Sequence, residues 1–126
     1  MRILKGFPLV LLILFLCNPL IPQIRISPMD AEKHIGEQAT VCGNVASATF
    51  ASSTRGQPTF LNLEKPYPSQ IFTVVIWGRN RSQFGNPETT YKSKNICVTG
   101  RIEDYKGVPE IEVREPGQMK LDNSNK

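Results

Sequence analysis

The clearest hydrophobic pattern in this sequence is the alternation of apolar and other side chains in segments 41–45 and 96–100. In an extended strand Val41 and Val45 of the first segment share one face, and so do Ile96 and Val98 of the second. A cysteine, Cys42 in the first segment and Cys97 in the second, lies on the opposite face. The pattern predicts two strands that point their apolar faces into a core. If the strands are neighbours, the two sulfurs meet on the outside of a small β-barrel.

The same alternation, with the turn residues between its segments, predicts five strands and one helical turn. The strands are expected at 37–48, 59–63, 71–77, 95–102 and 108–114. Before them, Ser27 suits a helix N-cap, Pro28 the first helical position and Gly36 the stop. A tight hairpin tip is expected at 105–107, and the polar segment 78–93 has room for one short helix.

This order of elements is typical of an OB-fold, because five strands occur in about a hundred residues and the one large insertion falls between strands three and four. The first strand of that fold is long and bent, which accounts for Gly43 within it. Its first and fourth strands are antiparallel neighbours, as a bond between the two cysteines requires. The prediction is an all-β, five-stranded OB-fold barrel over 27–118, followed by a disordered tail over 119–126.

Residues 1–26 are predicted to be an export signal peptide or a membrane anchor. Arg2 and Lys5 precede an uncharged run over 7–16, which matches the charged and apolar regions of a signal peptide. The run is shorter than the ~20 residues of a membrane span. Lipid attachment at Cys17 is an alternative, although bulky side chains precede that residue. The chain is expected to be exported to the periplasm or outside the cell, with anchoring through residues 7–21 as the alternative.

Export to an oxidising compartment favours a disulfide between Cys42 and Cys97. Buried free thiols are the alternative. A metal site is not expected, because two cysteines and the single histidine, His34, give neither the number nor the spacing of a zinc site. No cofactor is expected either.

The basic character of the chain comes largely from its N-terminal segment. The whole sequence has 15 Lys and Arg against 11 Asp and Glu, and the part after residue 26 retains 12 against 11. Overall charge therefore gives no support for nucleic-acid binding, and only a local patch would. Segment 77–101 has such a surplus, with five basic residues against Glu88, whereas the last hairpin is acidic.

The series of segments 35–45, 58–63, 72–77 and 96–111 resembles small bacterial OB-fold domains of the nucleic-acid-binding, anticodon-binding-like group. The strongest part is the string V-T-G-R-I-E-D-Y-K-G-V-P-E-I at 98–111. The resemblance covers about residues 35–115. It implies the OB-fold. It implies a nucleic-acid ligand less specifically, because proteins with this fold bind many kinds of ligand.

On this fold, single-stranded nucleic acid would bind by aromatic stacking and by basic residues across strands two and three and the nearby loops. Filling of the barrel is the alternative role for the aromatic residues, and solvation of a loop is the alternative for the arginines. The predicted ligand-binding residues are Phe60, Phe72, Trp77, Arg79, Arg81, Tyr105 and Lys106.

Two other classes of function are alternatives to nucleic-acid binding. A thermonuclease-like hydrolase needs a carboxylate cluster beside two arginines. Arg79 and Arg81 would supply the arginines, but Glu64 alone lies nearby in strands two and three, so the chain is predicted not to be an enzyme. An envelope-associated binder of a glycan or protein is the other alternative, since Trp77 and Tyr105 suit a sugar as well as a base.

Overall fold

The structure, a computed structural model, describes Gly6 and residues 24–124 of the chain. The export signal or anchor predicted over 1–26, with Cys17, therefore lies almost wholly outside the described residues. No helix within the described part of the chain is long and apolar enough to span a membrane.

The described chain consists mainly of β-strands. The strands are β1 (Arg25–Ile26), β2 (Gln38–Phe50), β3 (Thr59–Leu63), β4 (Phe72–Ile76), β5 (Asn95–Arg101), β6 (Glu103–Tyr105), β7 (Val108–Glu112) and β8 (Met119–Leu121). Two short α-helices, α1 (Gly78–Arg81) and α2 (Pro87–Thr90), lie between β4 and β5, and 3₁₀ turns span Pro28–His34 and Pro116–Gln118. The five predicted strands correspond to β2, β3, β4, β5 and β7.

The strands form one sheet in the order β6-β7-β4-β3-β2-β5-β8, with β1 parallel to β2. The sheet curls towards closure because consecutive strands pair with different parts of it. β5 pairs with β2, and β6, which directly follows β5, pairs with β7. Between β5 and β7, the side-chain amide of Gln118 donates to the carbonyl oxygens of Thr99 and Glu112, at 3.1 and 3.2 Å. This is the partly open barrel of an OB-fold, which confirms the predicted fold.

The core lies inside this barrel and uses the apolar face that the alternation predicted. Val41 and Val45 of β2 and Ile96 and Val98 of β5 are fully buried. On the other face of the same strands Cys42 and Cys97 lie directly opposite each other and form a disulfide bond. The predicted cross-link is confirmed.

The 3₁₀ turn Pro28–His34 packs closely against β2. Ser27 caps it as predicted, because its hydroxyl oxygen accepts a hydrogen bond from the backbone N–H of Asp30 at 3.3 Å. A Cβ on Gly43 would lie 2.7 Å from Cγ of Pro28. A glycine at position 43 therefore allows the turn to pack this closely on β2. The register irregularity of β2 lies farther along the strand, between Val45 and Ser47.

The sheet extends beyond the predicted domain limits of 27–118. At one end β1 pairs with β2, and at the other β8 pairs with β5, where a disordered tail over 119–126 was predicted. Met119 is buried against the core. Arg25 also forms an ion pair with Asp122 at 2.8 Å, so both termini of the domain are joined to the sheet.

We expect Gly100→Ala to lower the free energy of unfolding by about 1–3 kcal/mol, as overpacking of a core does. A Cβ at this position of β5 would lie 2.7 Å from Cγ2 of Ile111, which is fully buried. Urea denaturation followed by circular dichroism measures the change. Gly117→Ala is the control, because no atom lies within 4 Å of its added Cβ. Equal stability of the two variants would contradict the close contact.

Candidate functional site

A row of polar side chains crosses the outer face of the sheet. The strand register brings five of them into line, because each lies opposite the next on the neighbouring strand. In order from β2 through β3, β4 and β7 to β6, they are Ser47, Asn62, Thr73, Glu110 and Glu103.

A groove of about 490 Å³ lies over the middle of this row, where Asn62, Thr73 and Glu110 line it. Three aromatic side chains line it: Phe60 of β3, Tyr67 of the β3–β4 loop and Tyr105 of β6. Tyr67 and Tyr105 are 72 % and 58 % exposed, which makes their ring faces accessible to a ligand. We call this feature the aromatic groove; its polar lining includes Asn62, Gln70 and Glu110.

Asn62 fixes both the floor and one wall of the aromatic groove. Its side chain is buried; it donates to the hydroxyl oxygen of Ser47 at 3.0 Å and accepts from the hydroxyl of Thr73 at 3.4 Å. The same Ser47 oxygen accepts the backbone N–H of Tyr67 at 3.1 Å. These bonds attach the backbone of the loop at Tyr67 to β2 and β3, so the loop that carries the ring has a defined position beside the sheet.

Gln70, which lines the aromatic groove, has an unsatisfied acceptor. Its side-chain oxygen is buried and has no hydrogen-bond partner among the described residues. Most buried polar atoms in proteins have such a partner, so an exception calls for an explanation.

Glu110 gives the aromatic groove a negative charge. It lies directly opposite Glu103 in the β6–β7 ladder, and like charges so placed destabilise a sheet by about 0.2–1 kcal/mol. Burial, and then the charges of Glu103, Glu112 and Asp104, raise the pKa of the Glu110 carboxyl above its ordinary value. The carboxyl is thus held in an unfavourable setting that a bound hydrogen-bond donor would improve.

The hairpin tip between β6 and β7 forms the rim of the aromatic groove, at the place the sequence predicted for a tight turn. Lys106 and Gly107 have φ of 50° and 86°, the left-handed conformation that such a turn needs. The ammonium of Lys106 lies 5.4 Å from the centre of the Tyr105 ring. The turn therefore presents a ring and a cation together.

Other predicted ligand-binding residues lie elsewhere. Phe72 is fully buried in the core, so it cannot stack on a ligand. Trp77 is partly buried and packs on Gly56, whose added Cβ would lie 3.0 Å from the indole Cε3. Arg79 is exposed and forms an ion pair with Glu112 at 3.1 Å. None of the three lines the aromatic groove.

Arg81 is occupied by contacts within the protein. Its guanidinium donates to both carboxylate oxygens of Glu88, at 2.7 and 2.8 Å, and to the hydroxyl oxygen of Thr59 at 2.6 Å. It also donates to the side-chain oxygen of Asn86 at 3.2 Å and lies 3.6 Å from the centre of the Phe50 ring. Arg81 therefore joins the α1–α2 segment to the barrel and is not available for a phosphate.

Phe60, Tyr105 and Lys106 are the predicted residues that the structure brings together. Sequence reasoning missed Tyr67, Gln70 and Glu110. Tyr67 carried one signal, an aromatic residue between Pro66 and Pro68 in a polar loop, where a core position is improbable. Gln70 and Glu110 carried no signal, since nothing local in the sequence connects them.

The described residues hold one grouping of three side chains with ligand atoms close enough for a metal: Cys42, Cys97 and Asp122. The two sulfurs are bonded to each other in the disulfide. They are therefore not the thiolates that a metal would bind.

No protein-family model matches this chain, and no curated protein does. Among solved structures, asparaginyl-tRNA synthetase from Entamoeba histolytica is similar, with 21% sequence identity and a TM-score of 0.54. The same enzyme in complex with asparaginyl-adenylate gives 18% and 0.52. Each alignment covers 79% of this chain and 23% of the enzyme chain, so the similarity extends over less than a quarter of the enzyme. At this identity it shows the fold.

Proposed function

We propose that this chain is an exported, non-enzymatic OB-fold module that binds single-stranded nucleic acid in the aromatic groove. The observation that carries the proposal is the meeting of Phe60, Tyr67 and Tyr105 in one groove, with two of the rings exposed. Bases stack on exposed aromatic rings whatever their sequence, because every base has a π-face.

The position of the groove on the fold supports this ligand. OB-folds bind oligonucleotides and oligosaccharides on the face of their second and third strands, which correspond here to β3 and β4. The fold is also that of part of a tRNA synthetase, whose name gives its substrate as an RNA. Export is supported by the disulfide between Cys42 and Cys97, since such bonds persist in oxidising compartments.

The charges around the groove indicate that stacking contributes more than phosphate contacts. Lys106 is the cation of the groove, whereas Arg79 and Arg81 are held in ion pairs with Glu112 and Glu88. A single strand loses affinity with a log–log slope of about −0.7 per neutralised phosphate. We therefore expect a shallow dependence on salt.

A glycan or protein ligand is the second candidate. The acidic side chains of Glu103, Asp104 and Glu110 beside exposed tyrosines favour it, because phosphates are repelled there. A neutral oligosaccharide that bound while oligonucleotides did not would support this candidate over the first.

We expect Tyr67→Ala and Tyr105→Ala each to weaken the binding of a fluorescein-labelled ten-nucleotide DNA strand about five- to hundredfold. The reason is that a stacked base contributes about 1–3 kcal/mol. Fluorescence anisotropy at ~50 mM salt, where nucleic-acid binding is strong, measures the affinity. Tyr67→Phe and Tyr105→Phe keep the rings and are expected to keep the affinity.

Two results would contradict the proposed function. One is the absence of binding at this salt concentration. The other is binding that neither alanine variant weakens, which would place the ligand outside the aromatic groove.

A further inference from the structure

We propose that the aromatic groove selects bases with an amino group at pyrimidine C4 or purine C6, cytosine and adenine, over thymine and uracil, which have a carbonyl at C4, and that Gln70 and Glu110 make the selection. This inference rests on the proposed function. It follows from which hydrogen-bonding groups of the groove are already occupied and which are not.

The first observation is the side-chain oxygen of Gln70. It is buried, it belongs to a side chain that lines the groove, and no donor reaches it among the described residues. An amide oxygen accepts hydrogen bonds and cannot donate them. A ligand that fills the groove with an N–H at this point would supply the missing donor.

The second observation is the carboxyl of Glu110, the one acidic side chain in the lining. It lies across from Glu103 on β6 and beside Thr73 on β4, and the negative charges of Asp104 and Glu112 act on it as well. An ionised carboxylate only accepts hydrogen bonds. A donor bound here would offset some of the like-charge repulsion.

Two other polar side chains of the lining already have partners within the protein. Asn62 is buried, and its amide is engaged with Ser47 and Thr73. Lys106, which also lines the groove, lies over the Tyr105 ring at the hairpin tip. The lining thus offers two acceptors, the Gln70 oxygen and the Glu110 carboxylate; the Gln70 amide nitrogen and the Thr49 hydroxyl are donors in it, and the Glu110 carboxylate is the one group there that can only accept.

The four bases differ at the edge that would meet these acceptors. Cytosine and adenine carry an amino group, N4 or N6, that donates, and a carboxylate is a known partner of cytosine N4. Thymine and uracil carry the carbonyl oxygen O4 at the corresponding position. That oxygen would face the Gln70 oxygen and the Glu110 carboxylate and would be repelled.

The test compares fluorescein-labelled dC10, dA10 and dT10 by anisotropy with the full chain at one salt concentration and neutral pH. We expect dC10 and dA10 to bind about tenfold more tightly than dT10, the usual size of discrimination by one good side-chain contact. The decisive comparison is dC10 with dT10, because both bases are pyrimidines.

Glu110→Gln and Gln70→Met are each expected to reduce the preference for dC10 over dT10 to about twofold or less, since the first introduces a donor and the second removes an acceptor. Glu112→Gln is the matched control. It removes the same charge two residues along β7, from a side chain that pairs with Arg79 and Arg114 and does not line the groove. The control is expected to keep the preference.

The outcomes separate this inference from the function on which it rests. Equal affinity for the three strands, weakened by Tyr67→Ala, would overturn the selection and leave nucleic-acid binding in place. A preference that survives in both Glu110→Gln and Gln70→Met would also overturn it. If none of the three strands binds, the proposed function fails and the selection fails with it. Each variant is checked for folding by circular dichroism, and the two variants are independent of each other.

Discussion

We expect replacement of both Cys42 and Cys97 with serine to lower the free energy of unfolding by about 4 kcal/mol. This is the loss of chain entropy in the unfolded state that a cross-link over such a separation is calculated to cause. The two cysteines are 55 residues apart in sequence. Their bond removes many extended conformations from the unfolded chain and so favours the folded state. Urea denaturation of the oxidised wild type and of the double variant measures the difference.

The reduced wild type is the matched control for this double variant. In excess dithiothreitol it should unfold at the same urea concentration as the variant, because both lack the cross-link. A reduced protein as stable as the oxidised one would contradict the prediction, as would two alkylatable thiols at Cys42 and Cys97 in the untreated protein. Small domains are stable by only about 5–15 kcal/mol, so reduction would remove a large part of the total.

We expect Arg81→Ala to lower the free energy of unfolding by about 2–3 kcal/mol, somewhat less than removal of one partner of a fully buried ion pair does. The expected loss is smaller because the Arg81 and Glu88 side chains remain 14% and 23% exposed. The variant leaves the hydroxyl of Thr59, which is fully buried, and the Glu88 carboxylate without this donor. Thermal or urea unfolding measures the loss.

Arg79→Ala is the control for that variant, and we expect it to cost less than about 1 kcal/mol, as exposed ion pairs do. The Arg79 side chain is 69% exposed. Arg81→Lys should be intermediate, because lysine keeps the charge and loses the two parallel hydrogen bonds. If Arg81→Ala and Arg79→Ala cost the same, Arg81 does not connect the α1–α2 segment to the barrel.

The Arg81–Glu88 pair also gives a pH signature. Its hydrogen bond lowers the pKa of Glu88 below the ordinary value. A carboxyl with a lowered folded-state pKa adds stability above its unfolded pKa, and this contribution is lost as the pH falls through the folded pKa. The stability difference between wild type and Glu88→Gln should therefore shrink as the pH is lowered from about 6 to about 3. A difference independent of pH would contradict the charge pairing.

The sequence predicted the fold well where the apolar alternation was regular. The alternation in segments 41–45 and 96–98 predicted correctly which side chains face the core and on which face the cysteines lie. The strand predicted over 59–63 has the bounds of β3. In β4 all five residues are buried. No alternation shows there, and the sequence could not tell that Phe72 points inward.

The short strands at the sheet edges lacked any such signal. β6 is Glu-Asp-Tyr, exposed throughout, and it exists because the chain continues from β5 into the hairpin. β8 has one buried residue, Met119, in a segment that is otherwise exposed. Pairing with a longer neighbour, rather than local composition, makes these segments strands.

The sequence predicted one part of the candidate site and not the rest, for a related reason. An aromatic residue at a hairpin tip, such as Tyr105, is accessible in any arrangement of the strands. The hydrogen bonds of Arg81 to Glu88 and Thr59, and the presence of Gln70 and Glu110 in one groove, depend on how distant segments come together in the fold. Sequence spacing alone does not contain these contacts.

The cross-link divides the residues of the aromatic groove between two parts of the chain. Phe60, Tyr67 and Gln70 lie between Cys42 and Cys97, whereas Tyr105 and Glu110 follow Cys97. A protease that cuts once between the two cysteines, for instance in the exposed loop at 52–57, leaves two fragments that remain a single covalent molecule. A nicked form of the barrel can therefore keep both halves of the groove together, and would separate into fragments only after reduction.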